Sequence, residues 1–190
     1  MIFDESFIDF AEKEKRYTLI DQSIIEKYSN LVIIKSISKS YGVPGLRLGI
    51  MVSGKAEYIA KIRKENAIWN INSFGEYYLQ IYDKYSKVYL ASCDEIAEER
   101  KYLSCELAKI PGIKVYPSQA NYLMCRVDGG LNATELTLRL LEKNIFIKDL
   151  TGKRCFEDGR FFRIAVRNRE DNDRLLEALK QVFKTSLIFY

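Results

Sequence analysis

The sequence predicts an α/β chain in two parts: strand–helix material of a mostly parallel sheet, followed by a smaller α+β unit. Three observations predict it. Two apolar runs rich in β-branched residues, L-V-I-I-K-S at 31–36 and L-G-I-M-V at 48–52, flank a polar loop, as strands buried on both faces do. Apolar and aromatic residues, among them Tyr78, Ile81, Tyr85, Val88 and Tyr89, then recur at three-to-four spacing, the pattern of a long helix. Beyond Pro111 and Gly112 the pattern alternates between strand and helix periods.

Taken in order, residues 1–3 are apolar and run into Asp4 and Glu5, as at the end of a buried strand. Residues 21–28 read as a short helix, 31–36 as a strand and 36–42 as a polar loop. Proline and glycine punctuate 43–49 before the strand at 48–52. Residues 55–65 form a helix with Ile59, Ala60 and Ile62 on one side. A polar–aromatic connection at 68–73 leads into the long helix at 74–109, which Pro111-Gly112 stops. Strands follow at 113–116 and 122–127, a helix at 133–143, strands at 145–148 and 161–166, and a helix at 170–183 whose start is marked by Asn168 to Asp171. The apolar tail 185–190 has no assignment. The domain boundary is expected near the end of the long helix, giving domains 1–100 and 101–190.

Composition narrows the chemistry. The 190 residues carry net charge +4, with 30 basic and 26 acidic residues interspersed. A mixed surface of this kind does not point to nucleic acid. No run approaches the ~20 apolar residues of a membrane span. Cys93, Cys105, Cys125 and Cys155 form no C-x-x-C pair, so buried free thiols in a reducing, cytoplasmic compartment are expected. There is no histidine. Histidine-based nucleophile systems and histidine-ligated metals are therefore excluded, no metal site is expected, and acid–base work falls to Lys, Asp, Glu, Tyr or Cys.

The lysine that stands out is Lys39. The segment S-I-S-K-S-Y-G-V-P-G-L-R-L-G at 36–49 puts hydroxyls, a lysine and an arginine between two apolar strands. A lysine at the mouth of a sheet is expected to be partly desolvated, which favours the neutral amine and Schiff-base chemistry. Ser36, Ser38 and Arg47 beside it can hold a phosphate through charge-assisted hydrogen bonds.

This ordered set resembles the lysine segment of class I/II aminotransferases, pyridoxal-phosphate (PLP) enzymes of fold type I, and is most similar to histidinol-phosphate aminotransferases and threonine-phosphate decarboxylases. The resemblance implies that Lys39 carries PLP and that Ser36, Ser38 and Arg47 bind its phosphate. It makes residues 1–100 the later part of a PLP-binding large domain, including the start of the linking helix, and 101–190 the carboxy-terminal small domain. F-D-E-S-F-I-D-F at 3–10 resembles the family's strand end, where the first Asp pairs with the pyridine nitrogen; Asp4 takes that place. Phe7 stands where the family often has a Tyr that bonds the ring oxygen, a contact Phe7 cannot make. F-R-I-A-V-R at 162–167 resembles the terminal strand–helix signature. There Arg163 would grip the substrate α-carboxylate, with Arg167, on the same face, as a candidate for a second anionic group. Lys148 stands where histidinol-phosphate aminotransferases have an Arg for the substrate phosphate; a lysine serves as a point charge instead of a fork.

The resemblance also implies an amino-terminal portion that has no equivalent in this sequence, holding a helix-start phosphate loop. Association with such a portion, or a homodimer, is the expectation that follows. The expected activity is amino transfer between an amino acid and a small phospho- or phosphono-bearing substrate. Decarboxylation of a phospho-amino acid, a phosphonate transaminase module once fused to another enzyme, and a non-catalytic remnant or interaction domain are the alternatives.

Overall fold

The computed structural model describes residues 1–128 and 130–186, with side chains up to residue 184. The tail at 185–190 therefore lies almost wholly outside the described residues. The chain falls into two compact units, one over Met1–Asp94 and one from Glu95 onward.

The first unit holds a three-stranded sheet, β1 (Ile2–Asp4), β2 (Val32–Ser36) and β3 (Gly49–Ser53), in the order β1-β2-β3. β1 and β2 are parallel, with Asp4 opposite Ile34. β2 and β3 are antiparallel, with Ser36 opposite Gly49, which corrects the expectation of parallel pairing for this strand. The physical reason is the connection at 37–48, which holds only two short helical turns, Ile37–Ser40 and Pro44–Leu46: a parallel partner usually needs a crossover helix long enough to span the sheet.

Between β1 and β2 lies α1 (Gln22–Lys27), started by Asp21, whose side chain accepts from the Ser23 and Ile24 amides. The expected polar loop at 36–42 contains one helical turn, α2 (Ile37–Ser40), closed by the Tyr41 amide on the Ile37 carbonyl at 3.2 Å. After β3 the chain turns at Gly54, where a Cβ would stand 2.3 Å from the Ile25 carbonyl oxygen. It continues into α3 (Ala56–Glu65) and then α4 (Ser73–Leu107), the long helix, which runs across the boundary between the units. The core of this unit is small: Phe10, Ala11, Leu31, Ile33, Ile37, Leu48 and Cys93.

The second unit holds an antiparallel sheet, β4 (Ile113–Val115), β5 (Tyr122–Val127), β6 (Lys148–Asp149) and β7 (Phe161–Ala165), in the order β4-β5-β7-β6. The last part of α4, α5 (Ala133–Leu141) and α6 (Arg169–Ser186) complete it. Gly112, at φ 87°, permits the stop after α4; a Cβ there would meet the Asp128 carbonyl oxygen at 2.8 Å. A capping box between Asn132 and Glu135 starts α5. The Asp171 amide donates to the Asn168 side chain at 2.9 Å at the start of α6.

One face of the sheet, with Leu123, Cys125, Val127, Phe162 and Ile164, packs with Leu103, Leu107, Leu136, Leu140 and Leu179 into a continuous core. The alternation along β5 is complete, each second residue buried. The expected strand at 145–148 is only partly formed. The Ile145 amide returns to the Leu140 carbonyl at 3.0 Å, Asn144 is left-handed at φ 57°, and Ile145 and Ile147 pack on the core as the chain leaves α5.

All four cysteines are free thiols, yet only Cys93 and Cys125 are buried, which corrects the expectation for Cys105 and Cys155. Cys105 lies two residues from both Leu103 and Leu107, so it faces away from the core on the helix. Cys155 sits in the 150–160 loop with φ 72°.

Candidate active site

Because β1 and β2 are parallel and β3 returns antiparallel, the ends of β1 and β2 and the start of β3 share one edge of the sheet. Asp4 and Ser36 close their strands there, α2 carries Ser38 and Lys39, and Arg47 precedes β3. The carboxyl ends of strands in an open α/β sheet are where ligands are usually held. The five expected cofactor-binding residues thus meet on one edge.

Asp4 is held from within its own turn. Its Oδ1 accepts from the Ser6 backbone amide at 2.9 Å and from the Ser6 hydroxyl in a short bond. The Ser6 hydroxyl, bonds to the Ser6 amide and the charge of Lys39 keep the Asp4 carboxyl below its ordinary pKa, with the hydroxyl bond the largest cause. Ser6 is only 2% exposed, and its oxygen also accepts from the Ser36 amide at 2.9 Å. One serine therefore joins the two strand ends. Next to it, buried Glu5 accepts from the Thr18 hydroxyl at 2.7 Å and the Leu19 amide at 2.6 Å, fixing the loop after β1.

Lys39 is exposed, where its place between two strands pointed to partial desolvation. The cause is the single turn of α2: Ile37 and Ser38 face the core and Lys39 faces out. Its Nζ lies 4.4 Å from the centre of the Phe7 ring, a cation–π distance. Phe7, at the place where the family often has a Tyr for the cofactor's ring oxygen, thus lies against the lysine amine. Ser38 is buried, and its hydroxyl points to the Leu48 carbonyl at 3.5 Å. Arg47 is exposed and left-handed (φ 56°), with one guanidinium nitrogen donating to the Pro44 carbonyl at 3.2 Å. Behind α2, Tyr41 stacks on Tyr89 at 4.2 Å and tilts against Tyr82 at 5.1 Å. Burial pushes the Tyr41 and Tyr89 phenols well above their ordinary pKa. Lys35 pairs with Asp9 at 2.6 Å on the same side of the unit.

In the second unit, Arg163 of β7 lies directly opposite Lys148 of β6, so both side chains leave the same face of the sheet. Both residues are exposed, and neither has a carboxylate within salt-bridge distance among the described residues. The Arg163 guanidinium lies 4.7 Å from the Tyr122 ring centre. Arg167, also exposed, lies two residues beyond the end of the strand. β7 ends at Ala165, and the Asn172 side chain bonds both the amide and the carbonyl of Arg167 (3.1 and 2.8 Å), turning it toward α6. Its guanidinium pairs with Asp171 at 2.6 Å and borders a cleft of about 300 Å³ beside Ile145, Ile147 and Leu175.

Ser6 and Glu5 also belong to this edge, although neither was among the expected site residues. Part of the signal for Ser6 was present: an Asp at a strand end commonly bonds the backbone amide two residues on, and here that residue also carries a hydroxyl. Glu5 carried no such signal, because its partners lie 13 and 14 residues away.

A carboxylate, an exposed lysine and a hydroxyl–arginine set thus stand together on the carboxyl edge of the sheet, the arrangement expected of the family of lysine-borne cofactor enzymes. The chain belongs to the aminotransferase class I and II family, whose model matches residues 1–179, and whose cofactor is pyridoxal 5'-phosphate. It is 34% identical to an L-serine phosphate decarboxylase of Campylobacter jejuni, over 97% of this chain and 48% of that protein. It is 31% identical to a CMP-5'-(3-aminopropyl)phosphonate synthase of Streptomyces rubellomurinus, over 96% of this chain and 29% of that one. Among solved structures, the histidinol-phosphate aminotransferase of Clostridium acetobutylicum superposes with a TM-score of 0.86 at 31% identity, covering 97% of this chain and 54% of the other. The chain thus spans about half or less of the length of these relatives.

The residues present fit the cofactor. Asp4 is kept as a carboxylate, as a protonated ring nitrogen requires, and the amine and basic groups stand on the same edge. Among the described residues no cluster could hold a metal ion, and no helix is long and apolar enough to cross a membrane.

Proposed function

We propose that this chain is part of a PLP-dependent aminotransferase acting on a small amino donor and a phospho- or phosphono-bearing partner. The observation that carries the substrate class is the Lys148–Arg163 pair. Like charges directly opposite each other on neighbouring strands are destabilising, and here two cations share an exposed face with no carboxylate within salt-bridge distance of either among the described residues. A substrate with both a carboxylate and a phosphate offsets that cost. Arg163 suits the planar carboxylate as a fork, and Lys148 suits the phosphate as a point charge.

In this reading Ser36, Ser38 and Arg47 hold the cofactor phosphate, Lys39 anchors the cofactor, and Asp4 keeps its ring nitrogen protonated. When bound, PLP supplies the electron sink for carbanion chemistry at the substrate. Once the substrate amine has displaced it from the cofactor, the free Lys39 amine would be the base that accepts and holds the proton leaving the substrate Cα. Arg163 orients the carboxylate so that the Cα bond to be broken is the one to hydrogen. Arg167, tied to Asp171, serves a second anionic group less directly. The protein works in the cytoplasm, as a homodimer or together with the portion of the family that this chain does not span.

Decarboxylation of a phospho-amino acid is the second reading. Phe7 under Lys39 and the similarity to a serine phosphate decarboxylase favour it. The two separate by product. PLP-loaded protein is incubated with O-phosphoserine, O-phosphothreonine or histidinol phosphate, with and without 2-oxoglutarate. Glutamate formed without carbon dioxide supports amino transfer; carbon dioxide released without 2-oxoglutarate replaces it with decarboxylation.

A further inference from the structure

We infer that Ser6 is the positioning residue of the Asp4 carboxylate, assigning Oδ1 to the protein and leaving Oδ2 for the cofactor's ring nitrogen. The inference rests on the proposed PLP site and adds a residue to it. Both hydrogen bonds that Asp4 accepts fall on Oδ1, one from the Ser6 amide and one from the Ser6 hydroxyl. With both donors on one oxygen, rotation of the carboxylate about its terminal torsion is restricted, and that torsion is otherwise broad.

The Ser6 oxygen also accepts from the Ser36 amide. The same hydroxyl therefore sets Asp4 against the backbone of the residue proposed to meet the phosphate. Ser6 is buried between the two strand ends, so water cannot replace its hydroxyl without a change in packing. An alanine at this place would keep the amide bond to Oδ1 but lose the hydroxyl bond and leave the Ser36 amide without its acceptor. A hydroxyl donor lowers a carboxyl pKa by stabilising the charged form, which agrees with the direction found for Asp4.

The test is a carbon-detected NMR titration of the Asp carboxyls in the cofactor-free chain, with the Asp4 signal assigned through Asp4→Asn. Wild type is compared with Ser6→Ala and Ser6→Thr, and Ser36 amide exchange is followed in each. The expected result is an upward shift of the Asp4 midpoint in Ser6→Ala, faster Ser36 exchange, and return of both toward wild type in Ser6→Thr. In parallel, PLP binding to Ser6→Ala is expected to weaken about tenfold, the effect of one hydrogen bond to a charged group. An Asp4 that titrates in Ser6→Ala as in wild type, with unchanged Ser36 exchange, overturns the inference even if wild type captures PLP. An Asp4 that shifts while wild type captures no PLP upholds the hold of Ser6 on Asp4 and refutes the cofactor reading instead.

Discussion

Removing the Glu99 carboxylate is expected to destabilise the carboxy-terminal unit by about 2 kcal/mol, through a residue it does not share a helix with. Glu99 lies on α4 with its side chain 16% exposed. It accepts three contacts of 2.8–3.1 Å from the Arg169 guanidinium and one of 3.0 Å from the Asn172 amide nitrogen. Arg169 is half exposed and also covers the Tyr102 ring at 3.6 Å, so water can replace what it loses. Asn172 cannot be treated so: it is 1% exposed. Its amide nitrogen has two hydrogens, one on the Arg167 carbonyl and one on Glu99. Glu99→Ala strands the second. A buried donor left without a partner costs about 1–3 kcal/mol, which sets the figure.

Urea unfolding of wild type, Glu99→Ala and Glu99→Gln measures it. Glu99→Gln keeps an acceptor for Asn172 and is expected to lose less than Glu99→Ala. The pH dependence fixes the charge contribution. Arg169 first, then Asn172, hold the Glu99 carboxyl below its ordinary value. Its stabilisation is therefore fully present above the unfolded glutamate pKa and is lost as pH falls through the lower folded value. The gap between wild type and Glu99→Gln should close only in strong acid. A Glu99→Ala protein as stable as wild type at neutral pH would mean that the Asn172 amide does not depend on Glu99.

Two further outcomes follow from the sites. Lys148→Gln relieves the charge opposition to Arg163 and is expected to raise stability by about 0.5 kcal/mol while weakening binding of a phospho-substrate; a loss of stability in urea unfolding would count against the pairing as read. Native protein treated with a thiol reagent is expected to label at Cys105 and Cys155 within the mixing time and at Cys93 and Cys125 only on unfolding. Burial pushes the Cys125 thiol up to about 12, so rapid native labelling at Cys125 by mass spectrometry would contradict the packing of the sheet core.

Much of the fold could be read in the sequence where one force dominates. The period of 3.6 residues along α4 and the alternation along β5 both follow from burying one face, and both elements appear close to where they were expected. The start of α6 was legible because Asn168 makes a local bond to its own third neighbour. What escaped was set by distance in sequence. The antiparallel return of β3, the exit of α5 through Ile145, and the tie from Glu5 to Leu19 depend on partners that no local pattern names. At the site, Asp4, Ser36, Ser38, Lys39 and Arg47 were legible as an ordered set, and the structure brings them to one edge. The exposure of Lys39 was not, because a single helical turn decides which side chains face the core. The ties of Arg167 to Asp171 and Asn172 were not legible either, because they come from α6 and lie beyond the end of β7.

Whether Lys39 carries the cofactor is read most directly from an absorbance spectrum of the purified chain with added PLP, set against Lys39→Ala. A near-visible band is expected to form with wild type and to be absent from the mutant. A band that survives the mutation, or none with wild type, would contradict the assignment of Lys39 as the cofactor-bearing lysine of this chain.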